Sequence, residues 1–288
     1  MEPLSRRAYA KLNLGLEVVG RRDDGYHDLV TVFQTVSLYD QITASPAAGL
    51  SIRCKNPALT GRRNLVWQAA ELLREGSGSE QGATIGLVKA IPVSAGLGGG
   101  SSDAASALAL LDRLWELDWP EERLAEAAGL LGSDVPFFLR GGAALARGRG
   151  ELLQPLPTPP GQWFLLLMPN IRMAGKTPAL YRRLRPADFS DGSATEALAE
   201  SLRDAAPLEE ASMVNAFERA ASETFQGLGR FRNALEHAAG HPAHLSGSGP
   251  SLFARVNSNA DGVEGLKELR TLGFNAALVR AVDGGEQP

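Results

Sequence analysis

The sequence predicts an α+β protein in two parts. Three observations carry this expectation. The chain starts on a stretch that alternates between apolar and polar residues, as a half-buried strand does. A glycine-rich run at 96–100 opens into a helix midway through the first half. After a proline-rich stretch at 155–161, the chain ends on a strand, a helix and a strand.

The elements follow in order. Ala8, Ala10, Leu12, Leu14, Leu16 and Val18 share one face, and Tyr9, Lys11, Asn13 and Glu17 share the other. Residues 21–25 read as a turn with Asp24-Gly25 at its tip, and residues 30–39 as the returning strand of a hairpin. A strand is expected at 50–54, a helix at 64–73 and a strand at 84–89. The helix behind the glycine run can bury Ala104, Leu108, Leu111 and Trp115 at helical spacing. Residues 121–131 read as a helix stopped by Gly132, and 141–147 as a strand. Pro155, Pro157, Pro159 and Pro160 lack the N–H that a ladder needs, so this stretch reads as a linker. The expected domains are therefore 1–155 and 156–288. Beyond the linker, 163–168 is a buried strand. Helices are expected near 178–184, 196–203, 214–225 and 230–238. A strand at 252–256, a helix at 262–272 and a strand at 275–281 follow. Residues 283–288 are expected to fray.

Composition bounds the function. The chain has 288 residues, 44% hydrophobic and 22% charged, with a formal net charge of −4. No basic excess advertises nucleic acid or an anionic membrane. Cys54 is the one cysteine, so no internal disulfide forms, which fits a reducing, cytoplasmic setting. His237, His241 and His244 straddle Gly240 and Pro242, so no single helix presents them to zinc. The apolar start is interrupted by Lys11, Asn13 and Glu17, which speaks against a secretory or membrane-spanning segment.

The run at 91–105 is the most informative feature. A glycine bend entering a helix aims unpaired N–H groups and the positive end of the helix dipole at one point, which suits a phosphate. Its glycines bend freely and admit an anion without a Cβ in the way. Ser101 and Ser102 add hydroxyls for phosphate oxygens or a metal ion, and Asp103 suits the dipole in the first turn. The run is no Walker loop, because it has no lysine. It is a poor Rossmann fingerprint, because Ser101 stands where a third glycine belongs.

Other candidates have two readings each. Lys11 and Asn13 lie about 7 Å apart on one strand face, to hold a polar substrate or merely to face solvent on an edge strand. Asp134 lies in a short polar turn before the apolar residues 135–139. It is placed either to accept a proton from an alcohol or to cap a helical turn near Pro136. The stretch 246–251, Ser-Gly-Ser-Gly-Pro-Ser, is a turn or a second wall over the phosphates. Tyr26, His27 and Phe33 read either as structural or as a pocket for a nucleobase.

Together these pieces resemble the GHMP kinases, small-molecule kinases named for galactose, homoserine, mevalonate and phosphomevalonate. The matching stretches are 10–14, 92–102 and 245–250. Residues 22–29, 96–102 and 131–136 narrow the match to the branch that serves non-mevalonate isoprenoid synthesis. The resemblance runs from Tyr9 to about Phe253. It implies an N-terminal domain like the second domain of ribosomal protein S5, a ferredoxin-like C-terminal domain, and an active site in the cleft between them. It implies ATP, with Mg²⁺, on Pro92, Val93, Ser94, Ala95, Gly96, Leu97, Gly98, Gly99, Gly100, Ser101 and Ser102. It implies a catalytic pair in Lys11 and Asp134. Asn13 would place the acceptor alcohol. Tyr26, His27 and Phe33 would form a cytidine pocket, with Thr177 and Tyr181 on the far side of the base. The expected reaction moves the γ-phosphoryl group of ATP to the tertiary hydroxyl of diphosphocytidyl-methylerythritol. No residue is assigned as a magnesium ligand. Homoserine and mevalonate offer no base for Tyr26 and His27 to stack upon, and a non-catalytic nucleotide sensor needs neither Lys11 nor Asp134.

Overall fold

In the computed structural model, residues 3–171 and 173–284 are described. The hairpin is much longer than expected. Strand β1 (Leu4–Arg21) pairs antiparallel with β2 (His27–Ala47) along its length, around a turn closed by Arg22 and Tyr26. Then come β3 (Ser51–Cys54), α1 (Leu65–Ser77), β4 (Gly82–Val88), α2 (Gly99–Leu114), α3 (Glu121–Leu131), α4 (Phe137–Arg140), β5 (Ala143–Gly148) and β6 (Leu152–Leu156). The second half holds β7 (Trp163–Leu167), α5 (Lys176–Tyr181), α6 (Ser193–Arg203), α7 (Glu218–Thr224), α8 (Leu228–Ala239), β8 (His244–Leu245), β9 (Leu252–Val256), α9 (Asn259–Thr271) and β10 (Ala276–Arg280).

The first sheet runs β3-β4-β2-β5-β6, with β1 on the other edge of β2. The second runs β10-β7-β9-β8 and is antiparallel throughout. Its strands appear in the order four, one, three, two, with α8 and α9 as crossovers, which is the ferredoxin-like arrangement. The α+β expectation therefore holds. One core lies between the first sheet and α1, α2 and α3, around Ile42, Ile85, Leu73 and Leu108. A second joins the two sheets through Leu12, Leu14 and Val32 of the hairpin and Phe164, Leu166 and Phe253 of the second sheet. A third lies under α7, α8 and α9.

Several expectations change. β1 is buried on both faces from Ala8 to Val18, not half-buried. Its apolar residues Ala10, Leu12 and Leu14 pack onto the second sheet, with Lys11 and Asn13 on the opposite side. The bulge between Asn13 and Gly15 then switches the faces, so that Glu17 accepts the Thr195 N–H of α6 while Leu16 and Val18 join the core under α7 and α8. Pro155 sits within β6 opposite Ala144, at a sheet edge where a missing N–H costs nothing, so the connection shortens to 157–162. The helix expected from 214 begins only at Glu218. Before it, the chain pairs with β1: Leu16 N–H donates to Val214 O, and Ala216 N–H donates to Leu16 O. An unpaired strand edge buried in the interior demands such partners. Of the tail expected to fray, 285–288 lie outside the described residues, and Gly284 packs against Arg140.

Candidate active site

β4 leads into the glycine run, and α2 begins at Gly99. Gly98 stands before the helix at φ +69°, with no side chain capping the first turn. No side chain therefore takes up the leading N–H groups of α2. The glycines have a reason that sequence reasoning missed. A Cβ on Gly98 would lie 2.6 Å from the Phe138 ring and 3.0 Å from Lys11 Cγ, and one on Gly99 would lie 2.8 Å from Ile91. A Cβ on Gly96 would meet the carbonyls of Ser246 and Gly249. These three glycines are fixed by protein contacts, whereas Gly100 faces only Leu65 Cδ1, at 3.9 Å. Ser94, Gly96 and Gly98 line a cleft of about 1110 Å³. Ser102 is buried and faces a separate small pocket beside Thr35 and Ser106.

Under the run lies a buried trio. Lys89 pairs with Asp103, at 2.6 Å, and with Asp40. Asp40 also accepts the N–H groups of Ala90 and Ile91, where the run begins. Asp103 therefore does more than complement the helix dipole: with Lys89 and Asp40 it ties the entrance of the loop to the first turn of α2. Burial, reinforced by Asp40 and only partly offset by Lys89, raises the Asp103 carboxyl to about 7.

β1 carries Lys11 directly beneath the loop, and Lys11 N–H donates to Leu97 O at 2.9 Å. Its ammonium lies 3.3 Å from Asp134, donates to Asn13 Oδ1 at 2.6 Å, and sits 4.5 Å from the centre of the Phe33 ring. Asn13 donates onward to Thr31, which donates to Gly15 O, so the amide is fixed in orientation. Asp134 does not cap α4; Pro136 holds that position and no side chain caps the helix. Phe137 and Phe138 turn inward behind Asp134, Phe137 against Phe33, and the carboxylate remains about one-third exposed in the cleft.

The stretch 246–251 is not a free turn. Ser246 donates to Gly96 O at 3.0 Å, and Ser251 N–H donates to Ala95 O. Buried Asn215 holds this loop from behind through Leu245 O and Gly247 O. Thr177 meets Ser248 at 2.8 Å, and Lys176 donates to Gly249 O. Neither Asn215 nor Lys176 carries a local signal in the sequence, because each matters only through a loop far along the chain.

The other end of the cleft is aromatic. His27 stacks on Tyr181 with ring centres 4.6 Å apart, and Phe189 lies behind His27. Tyr26 is exposed, with Arg149 over its ring. Burial and Arg21 lower the proton affinity of His27, and burial with the charge of Asp134 raises the Tyr181 phenol to about 12. Phe33 lines the same cleft, but its ring contact is with Phe137 rather than with these rings. It is paired with Asn13 across the hairpin and lies under Lys11, roughly 20 Å along the strand from His27. The twisted hairpin floors one continuous cleft from Lys11 and Asp134 to Tyr26, His27 and Tyr181.

The family model for the N-terminal domain of GHMP kinases matches residues 64–142. A 4-diphosphocytidyl-2-C-methyl-D-erythritol kinase of Dehalococcoides mccartyi is 40% identical over 277 residues, covering 96% of this chain and 97% of the relative. The kinase of the same name from Gloeobacter violaceus is 37% identical over 271 residues, covering 91% and 89%. A crystal structure of 4-(cytidine 5'-diphospho)-2C-methyl-D-erythritol kinase superposes with a TM-score of 0.82 at 37% identity, covering 97% of this chain and all of that one. A homoserine kinase from Cytophaga hutchinsonii, at 20% identity and a TM-score of 0.77, shares the fold. Fold, sequence and cleft agree that the chain belongs to the GHMP kinases, within the 4-diphosphocytidyl-2-C-methyl-D-erythritol kinase family.

Proposed function

We propose that this chain phosphorylates the tertiary 2-hydroxyl of 4-diphosphocytidyl-2-C-methyl-D-erythritol, with ATP as donor, in non-mevalonate isoprenoid synthesis. One observation carries the reading. A single cleft is lined both by a lysine–carboxylate pair, beside the glycine loop and the open first turn of α2, and by the aromatic group of Tyr26, His27 and Tyr181. A base linked through a diphosphate to a short polyol engages both groups, whereas homoserine and mevalonate offer nothing to the aromatic one.

In this reading, residues 92–101 hold the triphosphate through loop N–H groups and the open first turn of α2, while Ser102, expected on the phosphates, is buried away from the cleft with its N–H on Gly98 O. Asp134 orients the acceptor hydroxyl and takes its proton as the oxygen attacks the γ-phosphorus and ADP leaves. Lys11, held by Asn13 and the Phe33 ring, offsets negative charge on the transferred group. Positioning and electrostatics suffice for phosphoryl transfer, without a covalent intermediate. Mg²⁺ would enter on the phosphates, which it commonly prefers to an all-protein cage. No group of three carboxylate, histidine or cysteine ligands occurs among the described residues. The base stacks on the Tyr181 and His27 pair, with Tyr26 closing from outside. Thr177 supports that wall through Ser248. Residues 1–155 supply nucleotide binding and the catalytic pair, and 156–288 complete the cleft. We place the enzyme in the cytoplasm. No helix among the described residues is long and apolar enough to cross a membrane.

ADP release is the test. Purified protein with ATP and Mg²⁺ is offered the cytidyl substrate, homoserine and mevalonate separately. Release with the cytidyl substrate supports the assignment, and cytidine nucleotides should compete with it. Release only with homoserine or mevalonate overturns it.

A further inference from the structure

Lys176 opens α5, and only 8% of its surface is exposed. It lines the same cleft as Lys11, Asp134 and Gly96. Its ammonium donates to the carbonyl of Gly249, and among the described residues it has no carboxylate partner. This differs from Lys11, whose charge meets Asp134. A buried cation without a counter-ion is costly, and folds rarely keep one without use. Burial, with the positive charge of Lys11 second, pushes Lys176 down to about 8. The ammonium is also precisely seated: Thr177 is tied to Ser248, and the loop carrying Ser248 and Gly249 leans on Gly96 of the glycine run. Two of its three N–H donors remain for a ligand, and the missing negative charge must arrive with substrate.

We propose that Lys176 binds the non-bridging oxygens of a substrate phosphoryl group, opposite Lys11, as a second charge-neutralising residue of the cleft. This rests on the kinase reading above and adds a residue to it. Both substrates bring the required chemistry: ATP through its γ-phosphoryl group, the acceptor through its diphosphate.

The test compares wild type with Lys176→Met, Lys176→Gln and Lys176→Arg. Steady-state rates are measured against ATP and the cytidyl acceptor, and binding is measured for ATP, ADP, CDP and cytidine. Loss of the ammonium should weaken one phosphate-bearing partner, or lower kcat, about 10- to 100-fold. Lys176→Arg should restore most of that loss. Cytidine, which has no phosphate, should bind unchanged. Lower kcat with weaker ATP but normal ADP binding places the contact at the γ-phosphoryl group. Weaker CDP and acceptor binding with normal ATP binding places it at the diphosphate. Melting temperature separates a structural role: Lys176→Met removes a buried charge and should melt at or above wild type, and it stands in if Lys176→Gln does not fold. The proposal is overturned if the Met or Gln variant keeps kcat and both KM values within about twofold, a change of only a few tenths of a kcal/mol. It is equally overturned if Arg rescues nothing. Should wild type transfer no phosphoryl group to the acceptor, the kinase reading fails instead, while the ATP, ADP and CDP binding arms still test Lys176.

Discussion

Gly96 and Ser246 hold the two halves of the chain against each other at the nucleotide loop. A Cβ on Gly96 would lie 2.3 Å from the Ser246 carbonyl oxygen, while the Ser246 hydroxyl donates to the Gly96 carbonyl at 3.0 Å. Gly96 also sits at φ +86°, where a side chain is strained. Gly96→Ala should therefore cost about 1–3 kcal/mol of stability and weaken ATP binding by pushing the loops apart. Gly100→Ala is the control, since its Cβ meets only Leu65 at ordinary contact distance. Thermal melts without ATP should show Gly96→Ala much lower and Gly100→Ala near wild type. Equal melting of the two variants would mean that the loop–loop contact is dispensable.

Asp134→Asn keeps the shape of the turn and removes the base. Turnover should fall about 10²- to 10⁴-fold, with the KM for ATP little changed, because loop N–H groups rather than Asp134 carry the triphosphate in this reading. Single-turnover kinetics at saturating ATP check this. Near-normal turnover would remove Asp134 from the role of base.

Much of the site was legible because it is local. Alternation at 8–18 put Lys11 and Asn13 on one face, and the polar turn before 135–139 singled out Asp134. What covers these residues was not legible. The polar face of β1 read equally well as solvent-facing, since the loops that cover Lys11 and Asn13, at Leu97–Gly98 and at Gly247, lie far along the chain. Residues 214–216 fit a helix by spacing, yet the open edge of β1 captures them as a strand partner. Phe33, which the resemblance put with Tyr26 and His27 around the base, lines the same cleft, with its ring under the Lys11 ammonium. Lys176, Asn215 and the Asp40–Lys89–Asp103 trio act only through long-range contacts, which no window of sequence displays.

Tyr181 and His27 come from opposite halves of the chain and stack at 4.6 Å. If a cytosine rests on this pair, Tyr181→Ala should raise the KM for the acceptor about 5- to 150-fold, matching the 1–3 kcal/mol of a base–aromatic stack. The KM for ATP should hold, since in the proposed reading ATP sits on the glycine loop and not on this pair. Tyr181→Phe should behave like wild type, because burial already keeps the phenol neutral. Competition by CMP measures the same effect without turnover. Unchanged CMP inhibition in Tyr181→Ala would place the base elsewhere.

Asp103 makes stability depend on pH. Its carboxyl, ordinarily near 3.8, is raised by burial to about 7 in the folded chain. One of its oxygens has no hydrogen-bond partner, so the carboxylate form is poorly satisfied. Between about pH 4 and 7 the folded chain thus holds a proton that the unfolded chain has released, and unfolding becomes easier as pH rises through that window. Burial opposes the Lys89 ammonium, but the charges of Asp103 and Asp40 outweigh it and keep it above 10.5, clear of the window. A shift of about three units bounds the effect at roughly 4 kcal/mol. Asp103→Asn cannot ionise, so urea unfolding at pH 5 and pH 8 should show wild type losing more stability than the variant over that interval. The comparison cancels the titrating groups remote from the trio, because both chains share them. Parallel losses in the two proteins would show that Asp103 ionises alike in the folded and unfolded states, and that Lys89 satisfies both carboxylates of the trio at once.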